Sequence, residues 1–391
     1  MSWNQQLGKK LNKEAILQQI LLQKRISRNE IINNTQLKKA TVANLVKELI
    51  DEQLIIEAGK EASTGGRRST LLQLNEHAGY SIGIDIGVNY LRGIITNLNG
   101  EIIFEKKYAV TDTTLSVYKE KIISFIHLLA ANVPASPYHI IGMGIAVPGI
   151  IDQEGIILNA PNLNWKNVDL VSMLAEHFDF PIYISNEANA GAYAEFSLIS
   201  HMKQQNILYV SIGYGIGLGI IINGELFLGE HGYSGESGHM IIHMNGKTCR
   251  CGQKGCWEAY ASEHNLVQQL EEATGISDLT LEDAIQLIED NAVPDAIIQQ
   301  YSEYVSIGLM NLMNTFNPSK IVIGNRIALL KPFIEQPIKS IISNQASSFF
   351  PQQVEVHFST LIDKGSVLGV ASIIIQQFLQ SYSSEHVQLE V

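Results

Sequence analysis

The sequence predicts an N-terminal winged helix–turn–helix domain joined to an α/β body of two lobes. Three observations carry this. Charge divides the chain: residues 1–75 hold 12 Lys and Arg against 7 Asp and Glu, a net of +5, and the remainder holds 15 against 32, a net of −17. In the first 75 residues the apolar pattern runs at helical spacing and then breaks into two short extended runs. Further on, residues 80–107 and 207–229 both read strand, glycine-bearing turn, strand, Asn-Gly, strand, and the segments that follow alternate helix and strand.

The basic head comes first. "KLNKEAILQQILLQKR" places Leu11, Ala15, Ile16, Ile20 and Leu21 on one helical stripe. Ser27 followed by Glu30 in "ISRNEIINNT" is a capping box that starts a second, short helix. A third helix follows from Val42, Leu45, Val46, Leu49 and Ile50, spaced i, i+3, i+4, i+7, i+8. Leu54–Glu57 and Leu71–Leu74 then flank "AGKEASTGGRRST" as the strands of a wing. The N-terminal residues of a recognition helix enter the major groove, which exposes Lys38, Lys39, Thr41 and Asn44 to DNA. Lysines there neutralise phosphates, and Asn bonds an adenine edge through two hydrogen bonds. Arg67 and Arg68 give the wing tip two cations suited to phosphates or a narrow minor groove. Residues 1–76 are therefore read as a DNA-binding domain with double-stranded DNA as partner. Solvated charge on a structural domain would show the same cations, but without the helix pattern and the wing.

The body is divided at residue 200, giving lobes 77–200 and 201–391. Asn-Gly between apolar runs is a strong hairpin signal in each. Glycine turns after a first strand bring backbone N–H groups close to phosphate, though hairpins that bind nothing use them too. No segment has the roughly 18 uninterrupted apolar residues of a membrane span, and the opening residues lack the apolar run of a signal peptide. The expectation is a cytoplasmic protein with no membrane partner. All three cysteines lie in "CRCGQKGC", residues 249–256. In the cytosol such clustering serves metal or redox chemistry more often than disulfides. Three thiolates leave a tetrahedral zinc one ligand short, and His239 and His243 both stand upstream. On a strand, four residues apart puts both on one face, so spacing does not choose between them.

The segments "GIDIG", "GIAVPGIID", "APNLNW", "SNEANAGAYAE", "SIGYGIGLG", "GESGH" and "CRCGQKGCWEAYAS" occur in this order over residues 80–262. In them the body resembles the ROK family of repressors, open reading frames and sugar kinases. That resemblance implies an actin-like, ribonuclease H-like and hexokinase-like ATPase fold. The helix–turn–helix ahead of the body is similar to the family's regulator branch, and "GYSIGIDIGVNY" with "GESGHMIIHMNGKTCRCGQKGCWEAYAS" is most similar to the xylose-repressor group of Gram-positive bacteria. The resemblance implies His239, Cys249, Cys251 and Cys256 as the ligands of a structural zinc. It also implies sugar contacts from Asn162, Asn186, Glu187, Glu236, His239 and Glu258. These residue types suit hydroxyls, since carboxylates accept and Asn both donates and accepts.

The kinase members of the family carry Asp in their "NDAN" motif as the base. Here Glu187 stands there, and an extra methylene moves a carboxylate by roughly an ångström, enough to cost about a hundredfold. The first phosphate turn of those kinases reads Asp-x-Gly-Gly-Thr, against Asp85-Ile86-Gly87-Val88-Asn89 here. Their second has a small hydroxyl residue between glycines, where Tyr214 stands here. No catalytic residue is assigned. The expectation is a sugar-responsive repressor of xylose genes, with sugar between the lobes as inducer. An active sugar kinase fused to a DNA-binding domain is the alternative, and a zinc-stapled nucleic-acid binder without a small ligand is a third reading. Xylopyranose lacks the exocyclic hydroxymethyl group that a hexokinase-type base activates. A homodimer, or a tetramer, on a pseudo-palindromic operator is expected from the few base pairs one recognition helix reads. "YSEYVSIGLMNLMNTFN" serves either as interface helix or as core.

Overall fold

A computed structural model of the chain describes residues 3–60, 69–199, 206–346 and 354–383. The head contains α1 (Trp3–Gln23), β1 (Ile26–Ser27), α2 (Arg28–Thr35), α3 (Lys39–Asp51), β2 (Ile55–Lys60) and β3 (Thr70–Leu74). The capping box forms: the Glu30 amide donates to Ser27 Oγ and the Ser27 amide to Glu30 Oε2. α3 buries Val42, Leu45, Val46 and Leu49, as its periodicity predicts. α1 keeps Ile16 and Ile20 of the expected stripe at the core, with Leu21 packed against it. It buries Ile16, Leu17 and Ile20 and leaves Leu11 exposed. β3 is central, with β2 on one edge and the two-residue β1 on the other, a strand too short for any sequence pattern.

Next come β4 (Tyr80–Ile86), β5 (Tyr90–Thr96), β6 (Ile102–Ala109), α4 (Leu115–Ala131), β7 (Ile140–Val147), β8 (Ile150–Ile151), β9 (Ile157–Ala160), β10 (Trp165–Val168), α5 (Leu170–Ala175), β11 (Ile182–Asn186) and α6 (Glu187–Ile199). The sheet order is β11-β7-β4-β5-β6, parallel for β11-β7-β4 and antiparallel for the β4-β5-β6 meander. Strands β8, β9 and β10 form a small separate sheet. The second lobe repeats the plan with β12 (Ile207–Ile212), β13 (Ile216–Ile222), β14 (Glu225–Leu226), α7 (Glu258–Ala261), α8 (Glu263–Thr274), α9 (Leu281–Glu289), α10 (Asp295–Phe316), β15 (Lys320–Gly324), α11 (Lys331–Ala346), β16 (Glu355–Phe358) and α12 (Gly365–Ser383). Its sheet order, β14-β13-β12-β15-β16, matches the first. In the second hairpin Asn223 and Gly224 both have positive φ, 54° and 85°, as the tight two-residue turn requires.

Alternation along the strands decides what covers each sheet. Ile82, Ile84 and Ile86 of β4 and Met143, Ile145 and Val147 of β7 share a core with Tyr118, Ile122, Phe125, Ile126 and Leu129 of α4. The intervening residues are small: Ser81 and Gly83, Gly142, Gly144 and Ala146. They let α12 lie directly on the sheet, where a Cβ at Gly83 would meet the Val367 carbonyl oxygen and one at Gly144 would meet Val370. In the second lobe Leu208, Val210 and Ile212 face the core that contains α8 and α10, and Gly217 and Gly219 admit Ala188 of α6 on the other face.

The last helix of each lobe therefore lies on the other lobe's sheet. α12 belongs to the stretch assigned to the second lobe but packs on β4, β5 and β7, and α6 packs on β12 and β13. The cut at residue 200 divides the chain but not the packing. α10 spends Tyr301, Val305, Leu309, Leu312 and Met313 on the second core, so core packing accounts for the segment that also suited an interface helix. α12 is long and apolar enough to cross a membrane, but its apolar side chains are used on the first sheet, α6 and the head.

Where α6 and α12 cross, a Cβ at Gly369 would strike the Ala190 carbonyl oxygen. Backbone cannot retreat as a side-chain tip can. Gly369→Val should destabilise the body by about 1–3 kcal/mol or more, as overpacking does. The measurement is the thermal midpoint, and an unchanged value would show that the crossing has slack.

Candidate functional site

The ends of β4 and β11 and the start of α6 face one cleft between the lobes. Asp85, the last polar residue of β4, is 3% exposed. Burial pushes its carboxyl up, and hydrogen bonds from Tyr90 and Ser366 and the Arg92 charge pull against this. The Tyr90 hydroxyl donates to Asp85 Oδ2 at 2.8 Å. The Tyr90 ring lies over Gly87, so that a Cβ there would strike it, and Lys107 Nζ stands 4.5 Å from the ring centre on the cation–π side. The first glycine turn is thus covered by the chain's own ring. Val88, the departure visible in the sequence, is exposed beside it.

The second turn, Gly213-Tyr214-Gly215, is covered as well. Arg250 donates to the Tyr214 carbonyl at 3.0 Å and its guanidinium stacks 4.1 Å from the Tyr214 ring centre. His264 packs against the same ring at 4.9 Å. Neither Tyr90 nor Arg250 was singled out from the sequence. The spacing around Gly87 hints at Tyr90, but Arg250 sits in the cysteine loop and meets Tyr214 only through folding.

Asn186 ends β11 and caps α6: its Oδ1 accepts from the Ala188 amide at 2.8 Å and the Asn189 amide at 3.3 Å. Its Nδ2 donates to the Gly149 carbonyl at 2.8 Å and Glu187 Oε2 at 3.3 Å. The amide is committed to holding Glu187 in place. Glu187 is pushed up to about 8, by burial first, with the Asp85 and Glu236 carboxylates adding to it and hydrogen bonds from the backbone opposing. The carboxyl is therefore neutral near pH 7 and both donates and accepts, as a sugar hydroxyl requires. Asn162 stands apart, exposed in a three-ten turn, Pro161–Leu163, between β9 and β10.

The remaining residues gather around the cysteine loop. His239 lies in a three-ten turn, Ser237–His239, not on a strand, so the argument from strand faces does not apply. Donor atoms of His239, Cys249, Cys251 and Cys256 all lie within 4.8 Å of one another. His239 Nδ1 is 3.7 Å from Cys249 Sγ, and Cys251 Sγ is 3.7 Å from Cys256 Sγ. A tetrahedral ion held by sulfur at about 2.3 Å places its donors about 3.8 Å apart, so the set fits such a metal. His243 is outside the cluster: its ring stacks on Tyr260 at 6.0 Å and its Nδ1 lies 3.2 Å from the Met244 carbonyl. The other edge of His239 faces the cleft, with Nε2 3.8 Å from Glu236 Oε2. Glu258, first residue of α7, accepts from the Cys249 thiol at 3.0 Å and lies 3.8 Å from His239 Nδ1. Glu236 keeps 44% of its side-chain surface exposed, and the partial loss of solvent around its carboxyl raises it, His239 lowers it and the Glu258 charge adds to the rise.

On the head, Lys38, Lys39 and Asn44 are exposed at the start of α3 and Thr41 is half-buried beside them. Among the described residues the two lysines form no ion pair. Arg67 and Arg68 lie outside the described residues.

A family model, that of the ROK family, matches residues 81–377. The chain belongs to the ROK family. It is 41% identical to the xylose repressor of Bacillus spizizenii over 377 residues, 96% of this chain and 98% of that protein. The crystal structure of a ROK family transcriptional regulator, a homolog of the E. coli MLC protein, superposes with a TM-score of 0.80 at 26% identity, covering 97% of this chain and 100% of its own. A ROK family glucokinase from Streptomyces griseus, solved with glucose and AMPPNP, superposes with a TM-score of 0.65 at 26% identity, covering 76% of this chain and 100% of its own. The head precedes the family match, and the regulator structure spans nearly the whole chain where the kinase does not.

Glu187 gives a pH test. Its folded carboxyl, near 8, stands above the ordinary 4.5, so folding binds a proton between these values. The stability it contributes is full below about 4.5 and is lost as pH rises toward 8. Glu187→Gln fixes the neutral form. Its thermal midpoint should equal that of the natural protein near pH 5 and exceed it by roughly 2–4 °C or more at pH 8, the shift of about 1 kcal/mol in a sizeable domain. A difference that does not change with pH would mean the carboxyl is ionised in the fold.

Proposed function

We propose that this chain is a sugar-responsive DNA-binding repressor of xylose-utilisation genes, and not an enzyme. One observation carries the reading: both glycine turns of the cleft are covered by the chain's own side chains, while the sugar side keeps its polar lining. The Tyr90 ring stands where phosphate would approach Gly87, and the Arg250 guanidinium and the Tyr214 ring crowd the second turn. The match to a xylose repressor along nearly the full chain supports the same reading.

The roles follow from position. The head is read as a winged helix–turn–helix. Lys38, Lys39, Thr41 and Asn44 would meet the major groove, with Arg67 and Arg68 on phosphates or the minor groove. A homodimer on a pseudo-palindromic operator supplies the affinity that one recognition helix lacks. The sugar is held by Glu187, Glu236, His239 and Glu258, with Asn186 acting through Glu187; Asn162, apart on its exposed turn, is a sugar contact by the family resemblance alone. Zinc in His239, Cys249, Cys251 and Cys256 is structural, because four protein ligands leave no open position for catalysis. It ties the cysteine loop to the cleft wall and orients His239 toward the sugar.

Xylose should weaken binding of the full chain to its operator at least tenfold in fluorescence anisotropy, and ATP-Mg should yield no labelled phosphate on xylose or glucose. Turnover near one per second, ordinary for enzymes, would replace the repressor by a kinase. Elemental analysis should find one zinc per chain. Cys251→Ser should lose the metal, and thermal midpoint and xylose affinity should fall together. A metal-free preparation of full stability would contradict the structural zinc.

A further inference from the structure

α12 touches the cleft, the lobe crossing and the head in turn. At its start the helix follows a clamped turn beside Asp85, whose carboxylate accepts from the Tyr90 hydroxyl. Arg92 clamps the residues just ahead of the helix by binding the backbone carbonyl and the carboxylate of Asp363, and Lys364 Nζ pairs with Glu105 at 2.7 Å. Asp85 sits at the first phosphate turn, but its carboxylate is engaged by the Tyr90 hydroxyl. In the middle of the helix, Gly369 meets the Ala190 carbonyl of α6, and Gly83 and Gly144 admit α12 against the sheet backbone. α6 itself begins at Glu187. At the far end Ile374 and Ile375 belong to the head's own hydrophobic core, with Phe378 and Leu379 packed against it. The Phe378 ring meets Tyr138 edge to face at 5.2 Å, and the Tyr138 hydroxyl donates to the Glu52 carbonyl at 2.8 Å. Glu52 follows α3 directly and its carboxylate takes Lys13 of α1 at 2.7 Å.

We propose that α12 is the rod through which the cleft acts on the head, met by α6 at Gly369 and clamped by Arg92 through Asp363 at one end and seated by Tyr138 and Phe378 beneath α3 at the other. This rests on the repressor reading above. A 19-residue helix is about 28 Å long and moves as a unit. Its middle contacts are backbone against backbone, so a displacement of the cleft walls is not absorbed there and is delivered to the head. Helix shifts of about 1–2 Å at an interface are a usual means of such switching.

Two variants test the two ends: Asp363→Asn at the clamp ahead of the helix and Tyr138→Phe beneath α3. The probes are D-xylose and a DNA duplex selected by the full chain from a randomised library. Calorimetry gives xylose affinity. Anisotropy gives duplex affinity without xylose and at saturation, and the ratio of the two is the coupling. Both variants should keep xylose affinity within about twofold, while the coupling ratio falls about threefold or more. A wild-type ratio of one would overturn the repressor reading and this proposal with it. A wild-type ratio well above one, undiminished in either variant, would overturn the rod alone.

Discussion

The contact on which the body depends is the crossing of α6 and α12. Each helix closes one lobe in sequence and lies on the sheet of the other. The exchange works because small residues line both helices and both sheets at that level: Ala188, Ala190 and Gly369 on the helices, Gly83, Gly144, Gly217 and Gly219 on the strands. Larger side chains would push the sheets apart and open the cleft permanently. Close approach costs glycine's backbone entropy at each position. It gains two lobes joined by a firm pivot, with Glu187 at the first residue of one helix and Ser366 in the first turn of the other. The residues read as sugar contacts and the element that reaches the head therefore start from the same place.

The metal cluster and the cleft share side chains. His239 turns Nδ1 to the cysteines and Nε2 to Glu236, and Glu258 touches both Cys249 and the His239 ring. A cation there would set the position and hydrogen bonding of the residues on that wall, which is why a structural metal and a ligand site belong in one argument. The opposite wall has no cation close to Glu187. Burial and neighbouring carboxylates keep it protonated, the state that gives a neutral hydroxyl ligand two-way hydrogen bonding.

Much of this was legible in the sequence because it is local. The Val42–Leu49 stripe, the Ser27–Glu30 box and the Asn-Gly hairpins depend on neighbours a few residues away, whereas His239 was preferred to His243 on the family resemblance, and its ring does lie with the cysteines. Leu11 was misread because α1 carries apolar residues on more than one side, and only packing picks the side that contains Leu17. His239 was placed on a strand because "HMIIHM" alternates poorly but looks extended; the chain instead turns there to bring its ring to the cysteines. The exchange of α6 and α12 had no local signal. Small residues alternating with Ile in β4 and β7 were its trace, and they also read as ordinary glycine turns and strands.

The glycine turns show how a motif outlives its first use. Gly87 reads as a backbone left bare for phosphate, yet here it is bare because the Tyr90 ring lies on it. Tyr90 then has its hydroxyl on Asp85. Restoring a kinase-like turn would mean more than shrinking Val88. The ring would have to leave, and the buried Asp85 would lose one of its donors, at about the 1–3 kcal/mol that an unsatisfied buried group costs. The same holds at the second turn, where Arg250 satisfies the Tyr214 carbonyl. The fit of the chain's own side chains accounts for both turns, and it is the ground of the repressor reading.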